Sequence, residues 1–405
     1  MRDLNCRTIT NMKGSVQKNM TETPSVRAIF LAMPYAPGAI ITHTEKIIQS
    51  CMANCQSVRV LCDSRVDFAK FDAHVTHYAN LPVLHHVESI RPRLWSALLW
   101  IFKLCWILIQ SCVAVIANRH QTDVVVCFAS HFHLPVLVCG RMCGLRTVLF
   151  DPSNSVLANH IVYGQRPWGR IWLRLLHLLR RLNHGIAHVL VQESWYEIKQ
   201  AGLDMYRSKV SLGSIYTDTD FYRETIPWND RAPIVGFIGR FTPEKGLMPF
   251  IEAAVMLKNQ NLAFHIVGDG PQRAEVESLI QRHNGTQIKL TGWACPTEVV
   301  TYFNQFRLYV MPSLAEGMPV AAREAMACGT PVLVTNVGGV SDIIEDGKTG
   351  FILKDLEPAT IAQAIMDALS HPQLAEIAQK GRNHVVQTFS LQPSIRQWQH
   401  ILIGQ

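Results

Sequence analysis

From Val26 onward the chain alternates short apolar runs with stretches whose apolar residues recur at helical spacing. Val26 to Met33 reads as a buried strand, ended by Pro34, Pro37 and Gly38, and Thr44 to Asn54 follows as a helix. The strand signal returns at Val58 to Cys62, Asp123 to Ala129, Thr147 to Phe150 and His188 to Gln192, with helical segments between most of them. Strand and helix in alternation build a parallel sheet covered on both faces.

Pro227 to Pro233 interrupts the pattern with two prolines, Asn229 and Asp230, and the alternation then restarts. Strands are predicted at Ile234 to Ile238, Phe264 to Val267, Ile288 to Thr291, Leu308 to Met311 and Pro331 to Thr335. Helices are predicted at Leu247 to Lys258, Arg273 to His283, Val299 to Asn304 and Val320 to Ala327. The expected architecture is α/β: two doubly wound parallel sheets, with a loose tail over 1–24, a first domain over 25–226 and a second over 227–385. A terminal helix near 386–405 is expected to pack back on the first domain. Ligands of such sheets sit outside the carboxyl ends of the strands, so the cleft between the two domains is the expected site.

Composition narrows this picture. A chain of 405 residues can bury more than one core, and 48% hydrophobic residues argue against extensive disorder. Only 17% of residues are charged, against roughly 25% in an ordinary soluble domain. The net charge of +7 divides unevenly, +11 over residues 1–215 and −4 over 216–405. A basic first half suits an anionic partner, but no Arg/Lys-rich tract or nucleic-acid-binding signature is present, so nucleic acid is not expected. Eleven cysteines without a Cys-x-x-Cys pair read as free thiols of a reducing cytoplasm. The first twenty or so residues lack the apolar core of a secretory signal.

Two segments bear on membranes. Leu94 to Ala117 is apolar apart from Ser96, Lys103, Gln110 and Ser111. Its length would allow a span, yet Lys103 would lie near the bilayer centre, and strands on both sides of it must join one sheet. A helix that is buried or touches lipid is expected instead. Farther on, Arg166, Arg170, Arg174, His177, Arg180 and Arg181 fall on one helical side, with Trp168, Ile171, Trp172, Leu175, Leu179 and Leu182 on the other. Such a helix either packs on the first sheet or lies in the headgroups of an anionic leaflet, and the basic first half favours the leaflet.

The candidate chemistry concentrates in the second half. Met311 to Pro331 places a strand end, a loop with Glu316 and Gly317, Pro319 in the first helical turn, and Glu324 inside the helix. Proline is well suited to a helix start, and the amides of Gly317, Met318 and Val320 would face an anion above the helix end. Apolar flanks around Glu324 mean that its carboxylate needs a partner. After the strand at Ile234 come Gly239, Arg240 and then Glu244-Lys245-Gly246. An arginine fork and a lysine point charge together suit a diphosphate whose charge grows as a bond to it breaks. Gly268-Asp269-Gly270 forms a tight turn at another strand end but lacks the third glycine of a dinucleotide fingerprint.

These three pieces resemble the carboxyl-terminal domain of the retaining, nucleotide-sugar-dependent glycosyltransferases of family 4, which have the GT-B fold of two Rossmann-like domains facing a deep cleft. The resemblance covers residues 234 to 369 most closely. It implies that Glu316 contacts the donor sugar, Glu324 the ribose, and Arg240 and Lys245 the diphosphate, with Gly239, Gly268, Gly270 and Leu290 near the nucleotide. In the first half, Gly38 stands where the family has a paired-glycine loop, here with a single glycine. His131, rather than His133, takes the place of a histidine near the reacting sugar, and Asp220 that of an aspartate in an Asn-Gly-x-Asp segment whose Asn-Gly is missing. Asp218-Thr-Asp220 mimics a metal motif of another fold by coincidence.

The implied activity is retaining transfer of a sugar from a UDP- or GDP-linked donor to a lipid-linked or saccharide acceptor in surface polysaccharide synthesis. No cofactor or metal is expected, and the chain is expected to be cytoplasmic and peripheral on the inner face of the cell membrane. A nucleotide-sugar epimerase of the same fold and an inactive sugar-nucleotide-binding subunit remain as alternatives. A reaction without acceptor separates the first, and tight donor binding without turnover the second.

Overall fold

The computed structural model describes residues 26–31, 38–63, 75–81, 94–128, 132–150, 169–200, 202–283 and 287–404. The first sheet has seven parallel strands in the order β3-β2-β1-β4-β5-β6-β7. They are β1 (Val26–Leu31), β2 (Cys55–Asp63), β3 (Val75–Leu81), β4 (Val124–Phe128), β5 (Arg146–Phe150), β6 (Val189–Gln192) and β7 (Val210–Leu212). The second has six parallel strands in the order β10-β9-β8-β11-β12-β13. These are β8 (Ile234–Ile238), β9 (Ala263–Val267), β10 (Ile288–Thr291), β11 (Leu308–Met311), β12 (Val332–Thr335) and β13 (Phe351–Leu353). In each sheet the strand order reverses once, between β1 and β4 and between β8 and β11.

The helices are α1 (Gly38–Met52), α2 (Leu94–Ala117), α3 (Leu134–Met142), α4 (Gly169–Ile186), α5 (Trp195–Gln200), α6 (Leu247–Met256), α7 (Arg273–Arg282), α8 (Pro296–Gln305), α9 (Val320–Ala327), α10 (Pro358–Leu369), α11 (Leu374–Phe389) and α12 (Leu391–Ile403). Strand β4 shows how the layers arise. All five of its residues are buried, and they alternate in direction, as a strand's side chains must. Val124, Val126 and Phe128 join a core with Ile47 and Ile48 of α1, while Val125 and Cys127 join another with Val115 of α2 and Leu137 of α3.

The chain's last helix belongs to the first sheet. Trp398, Ile401 and Leu402 of α12 lie in the same core as Val126. Asn54 donates from Nδ2 to Ile395 O at 2.9 Å, and the hydroxyls of Ser50 and Ser394 meet at 2.9 Å. The polypeptide therefore enters the first domain, builds the second and returns.

Four expectations change. Strands β3, β7 and β13 are additional, and all three are sheet edges, where a strand needs no unbroken apolar run. Gly38 is the first residue of α1 rather than part of a loop after β1. Pro319 directly precedes α9 instead of lying in its first turn. The helix rich in arginine does not divide into a basic and an apolar side: Arg180 is buried beside Leu173 and Leu176, whereas Ile171, Leu175 and Leu182 are exposed with Arg170, Arg174 and Arg181. Among the described residues no helix is long and apolar enough to cross a membrane, and α2 packs on the first sheet through Ala114 and Val115.

Candidate active site

Two loops at the carboxyl ends of β8 and β11 flank the reversal of strand order in the second sheet. This is the crevice in which open α/β sheets bind ligands. The loop after β8 is pinned by Phe241, which is fully buried, and turns through a short 3-10 segment, Pro243–Lys245. Gly246 follows with φ +64, and a Cβ there would stand 1.8 Å from Pro312 O. Only glycine tolerates both the dihedral and the approach. Leu314 N–H donates to Glu244 O at 2.7 Å, so the two loops are fastened to each other by main chain.

That fastening brings Lys245 to Glu316. Lys245 Nζ lies 2.7 Å from Glu316 Oε1, and Ser313 Oγ donates to the same oxygen at 2.6 Å. The Glu316 side chain is 10% exposed and that of Lys245 26%, so the pair is shielded yet reachable. Charge-assisted bonds of this kind are stronger than neutral ones and fix both side chains. Gly317 O accepts from Gly339 N at 2.7 Å, and Met318 is buried. Helix α9 then begins at Val320, and its first turn closes with Arg323 N–H on Pro319 O at 3.3 Å. The amides ahead of that bond point out of the helix end, where the macrodipole favours an anion.

Glu324 sits one turn inside α9 and is half-buried. Burial pushes its carboxyl above the ordinary range; Lys46, the Tyr222 hydroxyl that donates to it, and Arg323 draw it back. Lys46 comes from α1 of the first domain. Burial lowers its ammonium below the usual value, Glu324 counters this, and the ammonium stands 5.5 Å from the centre of the Tyr216 ring. Arg323, the neighbour of Glu324, is fully buried: it donates from Nη1 to Ile215 O at 2.9 Å and lies over the Phe389 ring at 5.2 Å. Glu193, just past β6, offsets part of the cost of burying that guanidinium. Trp195 N–H donates to Asp342 Oδ2 at 2.9 Å, another contact between the two halves.

The remaining candidates fall as follows. Arg240 is exposed at the carboxyl end of β8, next to Gly239, whose N–H bonds Val267 O at 3.1 Å. Gly268 has φ +140, and a Cβ on it would stand 1.9 Å from Gly239 O; one on Gly270 would stand 2.5 Å from Phe241 O. These glycines are thus required where the loops after β8 and β9 touch, whatever else lies near them. Leu290 is partly buried against the second core. Gly38 follows β1, at the reversal of strand order in the first sheet. His131 lies outside the described residues. His133 is buried before α3 with Nε2 2.9 Å from Phe128 O. Asp218 accepts from Phe221 N at 3.0 Å and shapes a turn, while Asp220 is exposed. Among the described residues no group of three His, Cys, Asp or Glu side chains is placed to hold a metal ion.

Sequence reasoning passed over Lys46, Tyr222, Glu193 and Arg323. One signal was available: Arg323 stands beside Glu324 in an otherwise apolar helical stretch, where a charge is costly without a partner.

Residues 218–384 match the family described as glycosyl transferases group 1. The chain is 34% identical over 157 residues to alpha-D-kanosaminyltransferase of Streptomyces kanamyceticus, covering 38% of this chain and 40% of that protein. It is 31% identical over 166 residues to the putative colanic acid biosynthesis glycosyltransferase WcaL of Escherichia coli, covering 38% and 41%. The chain thus spans less than half the length of these curated relatives. The fold is similar over nearly the whole chain to Anabaena HepE solved with UDP-glucose, with TM-score 0.69, 18% identity, and 94% and 100% of the two chains covered. Sucrose-phosphate synthase from Thermosynechococcus elongatus gives TM-score 0.67 at 20% identity, covering 92% and 97%. The architecture is that of GT-B: two doubly wound parallel-sheet domains.

Proposed function

We propose that the chain is a retaining glycosyltransferase that uses a UDP- or GDP-linked sugar, with the Lys245–Glu316 pair at the strand-order reversal as the observation that carries the reading. The bond between the sugar's anomeric carbon and the diphosphate oxygen breaks, and its electron pair stays on the phosphate. Lys245, Arg240 and the amides of Gly317, Met318 and Val320 meet that growing charge, the type of stabilisation worth the most in a shielded site. Glu316 orients the sugar through its hydroxyls, and Glu324 takes the ribose diol. The acceptor oxygen attacks from the face the diphosphate leaves, and its proton passes to a phosphate oxygen, which preserves the anomeric configuration. With protein cations in these places the scheme needs no metal.

The relatives' names support sugar transfer in polysaccharide assembly, and the basic first half supports an acceptor that is lipid-linked or a saccharide at the inner face of the membrane. His131 is assigned near the reacting sugar and Gly38 to the donor phosphate. The test is incubation of the purified chain with a panel of UDP- and GDP-sugars, followed by NMR. One donor hydrolysed with release of the retained anomer supports the reading. The absence of any cleavage, or a new sugar nucleotide formed without acceptor, contradicts it.

A further inference from the structure

Helices α2, α3 and α4 lie side by side on one face of the first sheet. Helix α2 turns Leu104, Ile107, Ala114 and Val115 inward and presents an opposite stripe of Phe102, Trp106, Ile109, Val113 and Ile116 to solvent. Phe102 is 68% exposed, Ile109 56% and Val113 58%. Helix α4 presents a second stripe, Ile171, Leu175, Leu178 and Leu182, and Met142 at the end of α3 is 83% exposed. Soluble monomers rarely leave contiguous apolar surface of this kind uncovered.

The formal charge carried by the three helices themselves is of one sign. None of the three helices contains Asp or Glu, while Arg141, Arg170, Arg174 and Arg181 are exposed on them and Arg119 just after α2. A second copy docked by twofold symmetry would set arginine against arginine with no acid to answer it. An anionic lipid leaflet satisfies both features, because acyl chains receive the stripes and lipid phosphates the guanidinium groups.

We propose that this three-helix face is the surface by which the chain lies on an anionic membrane, with α2 and α4 sunk in parallel into the headgroup boundary. The inference stands on exposure and charge, and it deepens the membrane placement proposed above without depending on sugar transfer.

The experiment is co-sedimentation of the full chain with vesicles of phosphatidylglycerol and phosphatidylcholine, compared with phosphatidylcholine alone. Binding is expected with the anionic vesicles and at least tenfold weaker with the neutral ones. The double variant I109E/V113E is expected to bind at least tenfold less, and R174E/R181E to lose the preference for phosphatidylglycerol. Both should keep wild-type circular dichroism and nucleotide-sugar hydrolysis, while M256E on the second domain binds as wild type. Trp106 supplies a readout without a destabilising charge: brominated acyl chains should quench a component of the fluorescence that W106F lacks. Undiminished vesicle binding by I109E/V113E, no binding by the wild type, or a dimer that I109E/V113E dissociates in light scattering overturns the proposal. For the wild type, no vesicle binding with hydrolysis intact removes the surface assignment alone; hydrolysis absent with vesicle binding intact removes the sugar-transfer reading alone.

Discussion

Lys245 and Glu316 hold each other at 2.7 Å, so neither can be altered without releasing the other. Lys245→Ala and Glu316→Ala are each expected to lower kcat by about 10²–10³, the usual effect of losing a preorganised electrostatic group. Steady-state rates with the active donor check this, and Ser313→Ala should fall between them and wild type. Glu324 behaves differently. Its carboxyl is raised by burial, so its ionised form costs stability above its own pKa, and that cost disappears as pH falls below it. Glu324→Gln should therefore raise Tm at neutral pH while raising KM for the donor. Lys46 favours the ionised form, and Lys46→Met should move the acidic limb of the kcat/KM profile to higher pH. The sequence made it plain that a carboxylate among alanines needs a partner. It could not say that the partners are Tyr222 and Lys46, because only the packing of two domains brings α1 to α9.

At the scale of elements, the motifs were legible where local chemistry decides. The loop after β8 and the segment leading into α9 are marked by glycine and proline, and both lie at the carboxyl ends of adjacent strands. Edge strands β3, β7 and β13 were not legible, because an edge pairs on one side only and tolerates a sequence such as VTHYANL. The orientation of α4 was also hidden. Helical spacing sorts residues into sides, but which side meets the sheet depends on neighbours, and here Arg180 is turned inward. Arg323 makes α9 more than a support for Glu324, since its guanidinium donates to Ile215 O near the domain junction. Arg323→Ala leaves the Ile215 carbonyl facing a gap, and a loss of about 1–3 kcal/mol is expected, as for a buried acceptor deprived of its charged donor. Urea unfolding measures it, and a change below about 1 kcal/mol would remove the role assigned to this side chain.

The whole molecule is two sheets whose reversals of strand order carry the candidate groups, with a chain that crosses back at its end. Trp398 of α12 is fully buried against the first sheet, so Trp398→Ala should cost about 3–5 kcal/mol and destabilise the first domain, although it lies beyond the second in sequence. Thermal scans with tryptophan and circular-dichroism probes would register the drop. The pairing of α12 with α1 rests on Asn54, Ser50 and Ser394 as much as on apolar contact, and no local pattern announces such a return. The central claim is that Lys245, Arg240 and the start of α9 receive a nucleoside diphosphate. Calorimetric titration of the wild type and of R240A/K245A with UDP and GDP tests it most directly: one of the two diphosphates should bind the wild type and lose at least tenfold in affinity in the variant, whereas equal affinity in both proteins would contradict the account.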